Sequence, residues 1–178
     1  YLGENETAHA RVVRYYLEYA QQHRQDYAGL EEEWDNLSAG IRTAHDRGLS
    51  QLVLDYAGAL TGIWFAWGRY TEARQGYEWA SQAAKAIGDR RALAACLLDW
   101  GRACIEQRDY DEAEDHLSAS LPMWEALADR QGKATSQYHL ARIATAQTDY
   151  ARAQRLLAES RNARGQLGAI VGVAEVLS

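Results

Sequence analysis

Glu112 and His116 stand four positions apart. On a helix that spacing puts a carboxylate and an imidazole on one face, where they could share a metal ion or stand in solvent as a simple pair. No third ligand is evident in the sequence, and neither a His-Glu-x-x-His nor a Cys-x-x-Cys pattern occurs. No metal site and no cofactor are therefore expected. His9, His23, His45 and His139 are scattered among the serines and aspartates without a nucleophile elbow. Gly165-x-x-Gly168 is too slight to cradle a phosphate. The reading is of a chain that is not an enzyme. Recognition is better served. Arg102 and Arg142 are separated by 40 positions, and two guanidinium groups in neighbouring rows could hold a carboxylate or phosphate by paired hydrogen bonds. The alternative is two solvated arginines, paired to Glu106 or Asp99.

What must position these side chains is a repeat. Gly68-Arg69-Tyr70-Thr71-Glu72-Ala73, Arg108-Asp109-Tyr110-Asp111-Glu112-Ala113 and Thr148-Asp149-Tyr150-Ala151-Arg152-Ala153 recur at an interval of 40 residues. Other columns keep the register: Leu60, Trp100 and Leu140; Tyr77, Leu117 and Leu157; Ile87, Leu127 and Leu167. Each unit divides into two helices. Leu93, Leu97, Trp100 and Cys104 fall on one face of a 3.6-residue period. Gln107-Arg108-Asp109 then reads as a tight turn. Asp109 is placed as an N-cap with Glu112 three residues on, close to a capping box, and Asp149 is the equivalent cap. Ala73, Ala113 and Ala153 sit where helices must cross closely, since a bulkier side chain would overpack the contact. The tyrosines and tryptophans are expected to fill the wedges between units, with Trp64 in the core and Phe65 or Trp67 on the surface.

The divisions expected are residues 1–47 as an entry pair of helices, 48–87, 88–127 and 128–167 as three repeats, and 168–178 as the start of a fourth. The entry pair reads as one helix from about Glu6 to His23, carrying Val12, Tyr15, Tyr16 and Tyr19. A second runs from about Ala28 to Arg47, with a stripe of Leu30, Trp34, Leu37, Ile41 and Ala44. Glu31, Glu32 and Glu33 near its start suit the positive end of the helix dipole. Pro122 interrupts the second helix of the middle repeat, where a kink or local break is expected.

The bulk numbers narrow the function further. One proline in 178 residues is few, which suits long helices with short turns. A net charge of −6 gives no general attraction for phosphate backbones, so no direct nucleic-acid binding is expected. No apolar run approaches the roughly 20 residues that span a bilayer, so no membrane is expected. Cys96 and Cys104, eight residues apart on one helix, cannot bridge each other. They read as small core residues and fit a reducing, cytoplasmic setting. The chain starts at Tyr1 and stops at Ser178 within an apolar pattern, and is expected to be a piece of a longer protein.

The segments Leu97…Trp100-Gly101, Tyr110 and Ala113 resemble tetratricopeptide repeats of a long, 40-residue variety. They depart from the usual pattern in the exchanged Leu and Trp, in Leu140-Ala141 of the third unit, and in the missing terminal proline. The resemblance implies an all-α, right-handed α-solenoid of stacked antiparallel helix pairs whose first helices line a concave wall. Counted from Gly101, the slots on that wall are Asp55, Gly58, Gly62 and Phe65; Leu98, Arg102, Ile105 and Glu106; and Thr135, Tyr138, Arg142 and Thr145. Those taken as the binding groove are Arg102, Arg142, Tyr138, Glu106, Phe65, Leu98 and Thr135. The occupant expected is a protein, a peptide or a small effector. Glu33-Trp34-Asp35-Asn36-Leu37-Ser38-Ala39-Gly40-Ile41, followed by Leu60 to Tyr70 and the repeats, also resembles the sensor arm of bacterial STAND-class signalling NTPases and related transcription regulators. That implies sensing that controls a nucleotide switch elsewhere, because no Gly-x-x-x-x-Gly-Lys-Ser/Thr loop is present here. The alternative is a scaffold for peptide binding or for self-association through the truncated C-terminal helix.

Overall fold

The computed structural model describes residues 8–24 and 26–176, with side-chain surroundings for 10–24 and 26–165. Among the described residues it is all helix: α1 (Ala8–Gln22), α2 (Tyr27–Glu32), α3 (Trp34–Asp46), α4 (Ser50–Ala66), α5 (Tyr70–Ile87), α6 (Arg90–Glu106), α7 (Tyr110–Ala126), α8 (Arg130–Ala146) and α9 (Tyr150–Val176). They form two compact units, Tyr1–Asp89 and Arg90–Ser178.

One turn is used six times. Gly48, Gly68, Gly88, Arg108, Ala128 and Thr148 all take positive φ, between 52° and 75°. At each, the amide of the following residue reaches back to the last turn of the helix: Leu49 to Ala44, Arg69 to Trp64, Asp89 to Ala84, Asp109 to Cys104, Asp129 to Trp124 and Asp149 to Ala144, all at 2.8–2.9 Å. The amide of the left-handed residue itself bonds the carbonyl three before it, at 2.9–3.4 Å. These two bonds are a Schellman closure, which satisfies carbonyls that a helix end leaves orphaned. The residue that completes the closure also opens the next helix. Asp129 accepts from the Gly132 amide at 2.8 Å and Asp149 from the Arg152 amide at 3.0 Å. The Gly132 bond is the main reason the Asp129 carboxyl is held below its usual range. Asp109 occupies the expected cap position but makes no such side-chain bond, so the capping box does not form; Glu112 turns to His116 instead, at 3.4 Å.

In the first unit α1, α3, α4 and α5 pack around Leu37, Tyr56, Leu60, Ile63, Trp64 and Tyr77, each at most 2% exposed. The stripe Leu30, Trp34, Leu37, Ile41 and Ala44 is buried as expected. It is carried by two helices rather than one. The chain breaks at Glu33, which stands at the N-cap of α3 without a side-chain cap bond; its carboxylate accepts from the side-chain amide of Asn36 at 2.7 Å. Splitting the helix there puts one of three consecutive glutamates at a helix N-terminus, where negative charge is favoured. None of Val12, Tyr15, Tyr16 and Tyr19 is fully buried in α1. Ala10, Val13, Leu17 and Ala20 are buried, whereas Val12 and Tyr15 are 56% and 61% exposed. The buried Tyr56 hydroxyl donates to the Val13 carbonyl at 2.6 Å, which sets that phase. The expected start at Glu6 lies outside the described residues.

In the second unit α6–α7 and α8–α9 are antiparallel pairs around Leu117, Cys104, Trp124, Leu140 and Ile143. Ala73, Ala113 and Ala153 are 0%, 0% and 4% exposed, so the small column holds in both units. Tyr70, Tyr110 and Tyr150 each begin a second helix, but Tyr150 is 62% exposed and fills no wedge; Leu157, at 44%, is likewise open. Of the expected α6 stripe only Cys104 is buried; Leu93, Leu97 and Trp100 are half-buried, and Ala94, Cys96, Leu98, Gly101, Ala103 and Ile105 are buried instead. A hydroxyl pair, Ser120 and Ser136, joins α7 to α8 at 2.9 Å. Helix α7 runs unbroken through Pro122. Pro122 and Ser118 are both exposed, so the carbonyl that the proline frees can turn to water. At Gly168, where the register expects a fresh unit, α9 continues to Val176. Ala169 stands in the column of Asp89 and Asp129, the second of which caps α8, and alanine has no side-chain acceptor with which to cap a fresh helix.

Glycine matters in two different ways. At Gly88 a Cβ would meet nothing within 4 Å, so only its φ of +75° demands glycine. At Gly132 a Cβ would lie 2.4 Å from the Trp124 ring. Urea titration should therefore show Gly88→Ala costing about 1 kcal/mol through the backbone alone, and Gly132→Ala costing about 1–3 kcal/mol through overpacking. Thr148→Gly should gain about 0.5–1 kcal/mol, because a β-branched residue is strained at positive φ. A Thr148→Gly variant less stable than the parent would show that this turn is not left-handed.

Candidate binding face of the second unit

The first helices of the two pairs, α6 and α8, carry the arginine column. In α6 Arg102 forms an ion pair with Asp99 three residues before it. The same slot in α8 holds His139 in place of an acid, 40 residues on. Arg142 therefore has no carboxylate on its own helix at that spacing. It reaches across to Glu106 of α6 instead, at 2.9 Å. Each of the two arginines thus holds an acidic partner, the arrangement foreseen as the alternative to a free pair.

His139 was not singled out by the sequence, and it lies at the centre of this charge arrangement. It is 7% exposed, and its Nδ1 is buried without a hydrogen-bond partner. Burial first, then repulsion from Arg102, Arg142 and Arg164, pushes its pKa down to about 3. The imidazole is neutral at pH 7, and its ring centroid lies 5.2 Å from that of Tyr138. Burial pushes the equivalent Asp99 carboxyl up, against the pull of Arg102. The signal that could have found His139 is its register with Asp99, a column in which an acid gives way to an uncharged base.

The other expected groove residues separate. Tyr138 is 40% exposed, with the Arg164 guanidinium 5.6 Å over its ring. Tyr138, Gln154, Leu157, Arg161 and Arg164 line an open cleft between α8 and α9. Glu106 is exposed. The hydroxyls of Thr135 and Thr145 donate to the carbonyls of Gln131 and Ala141 on their own helix, both at 2.9 Å. Leu98 and Ile105 are not groove residues. They are 8% and 6% exposed in the core, because α6 is covered on more than one side. Phe65 belongs to the first unit, half-buried with its ring 5.8 Å from Tyr70. Asp55, in that unit, accepts from Gln51 at 3.0 Å, and a Cβ on Gly58 or Gly62 would meet nothing.

The aromatic residues of the first unit are mostly structural. Trp64 is 2% exposed, as expected. Trp67 is half-buried at 5.3 Å from Trp34, and the Arg69 guanidinium lies 4.5 Å from the Trp34 ring and 5.4 Å from Trp67. The same guanidinium bonds Glu72 at 2.8 Å. This cation–π cluster ties the turn at Gly68 to α3.

A third ligand type does join Glu112 and His116. Cys104 of α6 brings its sulfur to them, so that one ligand atom from each of the three lies within 4.8 Å of the others. The sequence concealed this because Cys104 belongs to the helix before the turn.

Among the described residues the fold is all-α and built of repeated antiparallel helix pairs. Residues 93–166 match the tetratricopeptide repeat family, a repeat that generally mediates protein–protein interaction. Among solved structures the chain is similar to BtubC (BKLC) from P. vanneervenii, with a TM-score of 0.61 and 19% sequence identity over 90% of this chain and 75% of that one. That likeness is one of fold, a helical-repeat solenoid. No curated protein sequence matches the chain. Among the described residues no helix is long and apolar enough to cross a membrane.

The sign of the His139 effect follows from its lowered pKa. Between about pH 6.5 and 3 the unfolded chain binds a proton there that the folded chain refuses, so the contribution is complete above pH 6.5 and is lost on acidification. Chemical denaturation from pH 7 to 4 should show His139→Gln losing stability less steeply than the parent, by up to about 1.4 kcal/mol per pH unit. Parallel curves would mean that His139 is solvated.

Proposed function

We propose that the second unit is a protein- or peptide-binding module, and that its contact surface is the α6/α8 wall continued into the cleft beside Tyr138. The supporting observation is the grouping of Arg102, Arg142 and Arg164 around the neutral His139, next to an open Tyr138 and Leu157. Three guanidinium groups face two carboxylates, Asp99 and Glu106. An acidic side chain or chain terminus can exchange into the Arg142–Glu106 pair, which is partly solvated and therefore held only weakly. Tyr138 supplies rigid apolar area of the kind found at interaction hot spots. The preferred ligand is thus a peptide segment with an acidic group next to an apolar one.

The finer reading is that this module is the sensor of a signalling NTPase or transcription regulator acting in the cytoplasm. It is supported by the resemblance carried by Glu33 to Ile41 together with the repeats. The alternative is a free-standing scaffold that binds peptides on the same wall or self-associates through the C-terminal helix.

Screening an acidic-apolar peptide library by fluorescence anisotropy tests the binding reading. Arg142→Ala and Tyr138→Ala should each weaken the best peptide by about 5–10-fold, and raising the salt concentration should weaken it further. Affinities unmoved by both substitutions would place the site elsewhere. In the parent protein, bound peptide should change the rate of nucleotide hydrolysis. A parent without a phosphate-binding loop would overturn the regulatory reading and leave peptide binding intact.

A further inference from the structure

Cys104, Glu112 and His116 converge across the turn that joins α6 to α7. Cys104 is in the last turn of α6, Glu112 in the first turn of α7, and His116 one turn beyond Glu112. The backbone holds them together. The Cys104 carbonyl accepts from the Gln107 amide at 3.1 Å and from the Asp109 amide at 2.9 Å, so the turn itself fixes where the sulfur sits relative to α7. The His116 ring is stacked on Trp100, with centroids 4.0 Å apart and planes at 26°, which restrains the direction of its nitrogens.

We propose that these three side chains form a binding site for one zinc-class transition-metal ion. The donor set is a thiol, an imidazole and a single carboxylate. Soft and borderline donors of this kind suit zinc and disfavour calcium or magnesium, which take oxygen ligands throughout. The geometry agrees. His116 Nε2 and Glu112 Oε1 are 3.4 Å apart, and two such ligands at about 2.0–2.1 Å from a tetrahedral ion are separated by roughly 3.3 Å. The sulfur is within 4.8 Å of both atoms, so side-chain rotation alone can close the set. The burial is graded in a useful way. Cys104 is fully buried, the His116 side chain is 18% exposed and that of Glu112 is 34% exposed. The carboxylate is thus the most exposed of the three donors and the thiol the most buried.

Binding exchanges the thiol proton for the metal. The S–H bond of Cys104 breaks, the sulfur–metal bond forms, and the proton leaves to solvent. Nothing is oxidised or reduced. Three protein ligands leave the fourth tetrahedral position to water, an open site that a donor from a bound partner could take. One ligand comes from α6 and two from α7, so the ion pins together the helix pair that begins the tetratricopeptide match at residue 93. Stability should then rise with the logarithm of free metal concentration above the dissociation constant.

The test uses the full 178-residue chain with zinc or cobalt(II) alone as the probe. One zinc ion per chain should bind with release of a proton, and thermal unfolding should move upward with added zinc. Cobalt(II) should give the near-ultraviolet thiolate charge-transfer band of a bound sulfur. Cys104→Ala should abolish that band, whereas Cys96→Ala should keep it. Glu112→Gln and His116→Gln, at partly exposed positions, should each weaken zinc by at least about tenfold while leaving the circular dichroism unchanged. If Cys104→Ala does not fold, these two variants decide. A chain that shows no charge-transfer band, a band that survives Cys104→Ala, or a zinc affinity unchanged in His116→Gln would overturn the proposal.

Discussion

The architecture depends on a left-handed residue and two backbone hydrogen bonds, repeated every 20 positions from Gly48 to Thr148. A helix end leaves carbonyls without partners, and a buried orphan carbonyl is costly. Here the closure satisfies them within a turn so short that its last residue already opens the next helix. Helix length is then set almost entirely by the turn. Five of the six helices that start in this register are 17 or 18 residues long; the sixth, α9, spans 27, with no left-handed residue within it. Each turn fixes the phase of two helices about their axes, and so decides which side chains meet. Cys104 faces α7, Gly132 faces Trp124, and Ala113 is fully buried because the turns at Arg108 and Ala128 permit no other phase. Three of the six turns accept residues other than glycine, which carry an intrinsic cost in this conformation. Their tolerance shows how strongly the paired helices on either side determine the turn.

The candidate binding face shows what one changed residue does to a repeated frame. Asp99 and His139 occupy one slot, and Arg102 and Arg142 the next. With the acid present, the arginine is neutralised on its own helix. With histidine there, burial and three nearby guanidinium groups keep the ring uncharged, and the arginine must seek Glu106 on the neighbouring helix. The result is a bridge between repeat rows and a face with one more guanidinium than carboxylate. A partner of opposite charge would meet groups already oriented by the protein, which lowers the cost of ordering them on binding.

What could be read from the residues was whatever the 40-residue period expressed as residue type. The alanines at 73, 113 and 153 are diagnostic because only a small side chain fits a close crossing, and all three are buried. Leu30, Trp34, Leu37, Ile41 and Ala44 were legible for the same reason, although the break at Glu33 was not, since burial pattern says little about backbone continuity. The half-period of 20 was hidden because arginine, alanine and threonine stand at three of its turns. The buried face of α1 was not legible, because Val12 and Tyr15 are apolar but face outward, while the Tyr56 hydroxyl bonds the Val13 carbonyl on the inner side. Leu98 was assigned to the groove by counting along one helix, which cannot anticipate cover from a second side. Cys104 and His139 escaped because their significance lies in partners from other helices, and nearest-neighbour spacing carries no record of those.

The most direct test of this account is the solution backbone geometry at Arg108, Ala128 and Thr148, read from three-bond couplings and backbone chemical shifts. The account predicts positive φ at all three, with the amides of Asp109, Asp129 and Asp149 protected from exchange by their bonds to Cys104, Trp124 and Ala144. Negative φ at these residues, with helix continuing through them, would contradict it.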